Sequence, residues 1–226
     1  MSVGGRNSLL TLHLIERMML MQIRQALLKK GHRVRPGGKL TAKYLTIHST
    51  GNPSSTADSE RRWLDNPSNT REASWHICID EKEVVQAIPF TEVAWHAGSG
   101  NKESIGIEIC ESGNREATLT KAAECVADLL IEHGWGVEKL RRHYDWTGKS
   151  CPGILMANNW AAWNQFKKDV DALIQKKKSP KAPQWQIEAL EAVRDKLNLD
   201  RAYWTPEKLT EPLTKGEFFG ILNKIV

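Results

Sequence analysis

The stretch HYDWTGKSCPG, residues 143–153, places a histidine, a lysine and a cysteine close together among turn-forming residues. His143 and Cys151 flank a loop that contains Gly148, so their side chains could converge on one metal ion. Catalytic zinc sites usually take three protein ligands from His, Cys and carboxylate groups and leave a fourth position for water. The stretch therefore offers two of the three ligands that such a site needs.

A third ligand must come from elsewhere in the chain, and His48 in YLTIHSTGN is the best candidate. It ends an apolar, strand-like run and is followed by turn residues, so its side chain is expected at the rim of a sheet. The spacing alone leaves an alternative open, because an isolated histidine–cysteine pair is far less specific than paired CxxC motifs. In that alternative His48 is a capped surface histidine and Cys151 a packing thiol.

The elements that would position these residues are strands and helices in mixed order. KYLTIHST, SIGIEICE and SWHICIDEKEVVQAIPF predict strands, the last one a hairpin that turns at DEK. TLTKAAECVADLLIEHGW predicts a helix with Thr120 as its N-cap and Gly134 as its stop, and NNWAAWNQFKKDVDALIQKKK predicts another. We therefore expect an α/β fold, a mixed central sheet flanked by helices.

Both ends of the chain carry further helical patterns. LHLIERMMLMQIRQALLKKG predicts a helix that ends at Gly31, and KKKSPKAP is typical of a linker. WQIEALEAVRDKL and TKGEFFGILNKIV predict two helices in a small C-terminal appendage. The predicted organisation is a helical segment over 1–32, a catalytic domain over 33–178, and a linker with a helical module over 179–226.

Composition is that of a soluble globular protein, with 40% hydrophobic and 26% charged residues among 226, and it predicts no membrane span. The net charge of +5 favours a polyanionic partner, but no nucleic-acid-binding motif accompanies it. Nine tryptophans are typical of surfaces that stack on sugar rings, although core packing is the ordinary role of each one. Four cysteines are too few for a disulfide framework in this length of chain. We expect a monomer.

Five motifs occur in the order and approximate spacing of a known family: LTIHSTGN, SWHICID, AWHAGSGN, SIGIEICES and HYDWTGKSCPG. Over about residues 33–175 the chain resembles the zinc-dependent N-acetylmuramoyl-L-alanine amidases, the superfamily of phage endolysins and peptidoglycan recognition proteins. The resemblance implies the sheet of the peptidoglycan-recognition/amidase type. It also implies cell-wall lysis, in which zinc-activated water cleaves the amide between N-acetylmuramic acid and L-alanine. The alternative is a non-catalytic module that binds muropeptides.

Carried over residue by residue, the resemblance makes His48, His143 and Cys151 the ligands of Zn²⁺. It makes Glu108 the general base and acid, and it places the charge of Lys149 where an oxyanion develops. This complete set favours an enzyme over a binding module.

Glu108 competes with Glu111 for the acid–base role. Side chains alternate along a strand, so Ile107 and Ile109 should share the face opposite to Glu108. A carboxylate inside such an apolar strand needs a reason to be there, whereas Glu111 is expected to be solvated.

The resemblance also implies that Trp75, His76, Trp95 and His96 line a substrate groove. His76 lies inside a strand, where a hydrogen-bonded core histidine is an equal alternative, and His96 lies in a glycine-rich loop that suits a substrate contact better. In the peptidoglycan recognition branch a tyrosine tends to stand where this chain has Trp75. That departure favours a mechanism that depends on glutamate.

Partners and location follow from the expected activity. Peptidoglycan is the expected partner, and no binding to nucleic acid is expected. EPLTKGEFFGILNKIV resembles part of an S-layer-homology-type motif, so the C-terminal module would bind anionic wall polymers. The alternative is a helical hairpin docked on the catalytic domain.

No signal peptide is expected, because Glu16 and Arg17 interrupt the apolar run at the N-terminus. We expect synthesis in the cytoplasm and action on the wall after release by holins or lysis.

Overall fold

The computed structural model describes residues 23–178, 184–211 and 214–225. The chain divides into two compact units, with the division along the chain between Gln175 and Lys176, close to the predicted boundary after Lys178. The first unit contains a six-stranded mixed sheet and the candidate site. The second contains helices.

The sheet has a parallel block of four strands and a reversed pair. The block is β3 (Ile77–Ile79), β5 (Ser104–Ile109), β2 (Tyr44–Ser49) and β6 (Leu140–Arg142), in that spatial order. β4 (Val84–Gln86) pairs antiparallel with β3, and β1 (Ile23–Gln25) pairs parallel with β4 at the edge. The order β1-β4-β3-β5-β2-β6 confirms the predicted mixed sheet.

Helices flank the sheet and form the second unit. The first unit has α1 (Ala57–Asp65), α2 (Arg115–Glu132), α3 (His143–Thr147) and all but the last turn of α4 (Ala157–Lys178), and the second has α5 (Gln184–Leu197) and α6 (Lys215–Ile225). The two helical patterns predicted for the C-terminal module are thus present. Within the described ranges, every helix is too short or too polar to cross a membrane.

The two faces of the sheet carry different side chains because neighbours in a strand point to opposite sides. One face supplies the main core, which α2 and α4 cover, and its largest members from β2 and β5 are Leu45, Ile47, Ile105, Ile107 and Ile109. The alternate residues Thr46, His48, Gly106 and Glu108 therefore lie on the other face, where a smaller apolar cluster includes Cys78 and Leu64 of α1. Polar chemistry is possible there without disrupting the main core.

The β3–β4 hairpin turns at the predicted DEK sequence. One carboxylate oxygen of Asp80 accepts the backbone N–H groups of Lys82 and Glu83 at 2.7 and 2.8 Å. Its other oxygen accepts the N–H of Ala57 at 2.9 Å. A single side chain thus closes the turn and ties it to the start of α1.

The predicted N-terminal helix is wrong over residues 23–30, and its first part lies outside the described residues. Ile23 begins β1, where it packs against the main core. Arg24 pairs with Glu83 and Asp58, each at 2.6 Å. Pairing with β4 overrides the local helical pattern at Ile23–Gln25, which belong to the sheet.

The predicted start of α2 is also wrong. Asn114, and not Thr120, is the N-cap, because its side chain accepts the N–H of Ala117 at 3.0 Å. The predicted stop is confirmed, since Gly134 follows the helix with a φ of 69°. Both asparagine and threonine suit an N-cap, so the pattern alone did not separate a capping residue from one inside the helix.

The burial of Ile107 predicts a stability effect. Ile107→Ala should lower the free energy of unfolding by about 2–5 kcal/mol, because a large side chain with 0% exposure leaves a cavity in the main core. Leu27→Ala, at a side chain that is 41% exposed, is the control and should change the free energy of unfolding by about 0.5 kcal/mol or less. Urea unfolding measures both, and equal losses would contradict the assignment of the main core.

Candidate metal centre

Strand register brings the candidate ligands together. His48 in β2 lies directly beside Glu108 in β5, and both side chains point away from the main core. On the other side of β2, strand β6 leads directly into α3, whose first residue is His143. The chain then turns at Gly148, with a φ of 75°, and returns to Cys151, whose carbonyl accepts the N–H of Tyr144 at 3.1 Å.

Three of the predicted site residues form one compact group of potential metal ligands. The Nδ1 atoms of His48 and His143 are 3.0 Å apart, and the Sγ of Cys151 lies 3.8 Å from Nδ1 of His48. One ligand atom of each residue lies within 4.8 Å of the others. His48 and Cys151 are buried and His143 is partly buried, so these donors face a shielded space.

The environment of the group keeps all three side chains neutral. Burial lowers the pKa of His48 well below its usual value, and the nearby His96, His143 and Lys149 lower it further. Burial and then the charge of Lys149 lower the pKa of His143 to about 4. Burial raises the pKa of the Cys151 thiol to about 11. Neutral imidazole is the form that binds metal, and a bound cation would favour the thiolate.

Glu108 is a carboxyl group that can hold a proton near neutral pH. Burial, and then the carboxylate of Glu60, raise its pKa to about 8, while Lys149 opposes that shift. Its Oε2 atom is buried and has no hydrogen-bond partner among the described residues. Ile107 lies in the main core on the opposite face, as the alternation predicts. Glu111 instead accepts the N–H of Gly51 at 3.0 Å in an exposed contact.

Lys149 lies on the exposed loop between α3 and Cys151. Its charge contributes to the lowered pKa values of His48 and His143 and opposes the raised pKa of Glu108. One short loop thus carries both a candidate ligand and the positive charge closest in sequence to it.

The structure does not offer Trp75 and His76 to a substrate groove. His76 has 0% exposure; its Nδ1 accepts the N–H of Gly106 at 2.8 Å and its Nε2 donates to the carbonyl of Glu92 at 2.9 Å. Trp75 is buried in the smaller apolar cluster. The core-histidine alternative therefore fits His76, and Trp75 is a packing residue.

Trp95 and His96 are partly buried. The backbone of Trp95 pairs with Ser74 through two contacts of 2.9 and 3.0 Å. The ring of His96 does not point to an open groove, because its Nδ1 lies 3.0 Å from Nε2 of His48. Substrate binding by Trp95 stays a prediction, whereas His96 contacts a candidate metal ligand.

Contacts that the sequence did not predict hold α3 in place. The indole N–H of Trp146 donates to the hydroxyl of Thr46 in β2 at 2.8 Å. Gly100 lies so close to that indole that a Cβ would come within 2.7 Å of it. Asp145 accepts the backbone N–H of Arg142 at 2.7 Å. In the sequence, the glycines of AWHAGSGN could have indicated this contact, because a glycine allows the backbone to approach a ring closely.

The candidate site lies within a region that matches a known family. The model of the family described as N-acetylmuramoyl-L-alanine amidase matches residues 38–154, which include all the candidate ligands, Glu108 and Lys149. The solved catalytic domain of XlyA is 35% identical with a TM-score of 0.61, and the match covers 66% of this chain and 99% of that domain.

Two curated proteins of Bacillus subtilis (strain 168) have similar sequences. The N-acetylmuramoyl-L-alanine amidase XlyB is 38% identical over 141 residues, which are 58% of this chain and 43% of XlyB. The N-acetylmuramoyl-L-alanine amidase CwlA is 40% identical over 146 residues, which are 61% of this chain and 52% of CwlA. The chain thus spans about half the length of these relatives.

Proposed function

The chain belongs to the N-acetylmuramoyl-L-alanine amidase family, and from this premise we propose that it hydrolyses the amide between N-acetylmuramic acid and L-alanine in peptidoglycan. The observation that carries the proposal is the gathering of His48, His143 and Cys151 within 4.8 Å, beside the protonatable Glu108. The reaction would free the stem peptide from the glycan and weaken the cell wall.

The donor set fits zinc. Two imidazole nitrogens and a thiolate are ligands that zinc sites use, and with ordinary bond lengths a tetrahedral site separates two nitrogens by about 3.3 Å and nitrogen from sulfur by about 3.6 Å. The corresponding separations from Nδ1 of His48 are 3.0 Å to His143 and 3.8 Å to Cys151. We therefore assign one Zn²⁺ to these residues; when bound, it would activate water and polarise the scissile carbonyl.

Glu108 and Lys149 would handle the proton and the developing charge. The Glu108 carboxylate would take a proton from the attacking water as the water oxygen bonds to the carbonyl carbon. The C–N bond then breaks, and the same carboxyl returns the proton to the leaving amine. A pKa of about 8 and an unpartnered Oε2 suit a group that must both accept and donate. Lys149 would stabilise the negative charge on the carbonyl oxygen.

The competing function is a module that binds muropeptides without cutting them. Binding alone would not require a carboxyl group enclosed beside a metal centre, where its ionised form is disfavoured. The combination of three ligands with Glu108 and Lys149 therefore favours hydrolysis.

We also propose that the C-terminal unit contacts anionic wall polymers. Its helices and their connection expose aromatic side chains: Trp185 is 67%, Tyr203 47% and Phe219 59% exposed. The net charge of +5 belongs to the whole chain and suits an anionic wall, whereas this unit itself offers the exposed aromatic side chains. The substrate lies outside the membrane, so the protein would reach it after release by holins or lysis.

Zinc content tests the metal centre. The native chain should hold one zinc ion by elemental analysis, and Cys151→Ser should lose most of it because a neutral hydroxyl is a much poorer zinc ligand than a thiolate. Cys125→Ser, which changes a buried thiol of the main core, should keep its zinc. Substoichiometric zinc in the native chain, with no gain of activity on adding the ion, would refute the assignment.

Turnover of defined muropeptides tests the acid–base role. Glu108→Gln should keep its zinc and lose about 10²–10⁴-fold in turnover, because the amide cannot exchange a proton. Lys149→Met should also lower turnover with zinc retained. Glu111→Gln is the matched control and should behave as the native chain; near-native turnover of Glu108→Gln would assign the proton transfer to another group.

Truncation tests the C-terminal unit. A chain that ends after Lys178 should cut soluble muropeptides at the native rate but sediment poorly with intact walls. Equal sedimentation of the full and shortened chains would argue against wall binding. Loss of folding on truncation would instead show that residues 179–226 complete the first unit.

A further inference from the structure

We propose that His96 is a positioning residue that fixes the tautomer and ring orientation of His48. The inference rests on the proposed function in one respect, namely that His48 is a zinc ligand. Nδ1 of His96 lies 3.0 Å from Nε2 of His48, on the side of the His48 ring away from Nδ1, the atom that faces the other two ligands. The two rings meet edge to face, with their centroids 5.1 Å apart.

The hydrogen-bond partners determine which nitrogen carries each proton. Nε2 of His96 lies 3.2 Å from the carbonyl oxygen of Ser104. A carbonyl only accepts hydrogen bonds, so Nε2 of a neutral His96 carries the proton and its Nδ1 presents a lone pair. Nε2 of His48 must then donate to that lone pair. Nδ1 of His48 is consequently left unprotonated and faces His143 and Cys151.

His96 is itself held firmly from two directions. The side-chain oxygen of Asn101 accepts the backbone N–H groups of His96 and Ala97 at 2.8 and 2.6 Å. The ring lies directly against Gly106 of β5, where a Cβ would come within 2.7 Å of it. Any larger residue at position 106 would displace the ring, so this glycine gives His96 its place beside His48.

This arrangement gives His96 a role different from a substrate contact. Both ring nitrogens are engaged, one with Ser104 and one with His48, so neither remains for a sugar or a peptide. A partner that holds the second nitrogen of a metal-bound histidine orients the ring, and its loss typically costs about 10–100-fold in metal affinity. Without His96, the ring of His48 could rotate or carry its proton on Nδ1, which cannot then bind metal.

Two substitutions of similar size separate positioning from packing. In His96→Asn the side-chain oxygen comes close to the place of Nδ1 and can still accept from His48, whereas His96→Leu offers no acceptor. Zinc affinity of the full chain, measured by competition with a chromogenic chelator, should fall about 10–100-fold in His96→Leu and recover most of that loss in His96→Asn. Ile174→Ala is the control: it should lower the melting temperature without changing zinc affinity, because Ile174 is buried in the main core on the other face of the sheet.

Four outcomes would overturn one proposal or the other. Native zinc affinity in His96→Leu, or equal losses in the leucine and asparagine variants, would refute the positioning role while the native chain still binds zinc and cuts muropeptides. A native chain that binds no zinc would refute the metal centre itself. Imidazole ¹⁵N spectra of the native zinc-loaded protein give a test that does not depend on the variants folding, and a proton on Nδ1 of His96 would refute the inference.

Discussion

The register between β2 and β5 is the constraint on which the rest of the structure depends. It sets His48 beside Glu108 and, at the same time, Ile47 beside Ile107. Side chains alternate along each strand, so a slip of one residue would turn the histidine into the main core and expose an isoleucine. The apolar face that α2 and α4 bury therefore also keeps the polar face aligned. The energy of the main core, and not the polar contacts, fixes the site.

Burial then determines the chemistry of that polar face. Imidazoles, a thiol and a carboxyl lie together where water is scarce, and the same desolvation that lowers the pKa of His143 to about 4 raises that of Glu108 to about 8. Charged forms are disfavoured until a cation is present to compensate them. A site of this kind is suited to bind a metal through neutral nitrogens, and the bound cation would favour the carboxylate form that accepts a proton from water.

Glycines make room for the rings that support the ligands. Gly106 lies against the ring of His96, and Gly100 lies against the indole of Trp146. A Cβ added to either glycine would come within 2.7 Å of the ring. His96 supports β2 through His48, and Trp146 supports α3 through Thr46. The strand that carries His48 and the helix that carries His143 are thus each supported by an aromatic ring that packs against a glycine.

The sequence alone determined the elements that carry strong local patterns and the residue types that suit a metal. It predicted β2, the β3–β4 hairpin and β5, because alternation and turn chemistry are local properties. It also selected His48, His143 and Cys151 as candidate metal ligands, from their chemistry and from family motifs. It failed at β1 and at the start of α2, where strand pairing and a competing cap decided the outcome.

Only the tertiary structure decided which partners the ring nitrogens of each histidine have. His76 and His96 have similar sequence contexts, but one bonds to backbone groups and the other reaches His48. Those contacts join residues 16, 30 and 48 positions apart along the chain. No local pattern encodes such a distance, because it arises from the packing of separate strands and loops on one face of the sheet.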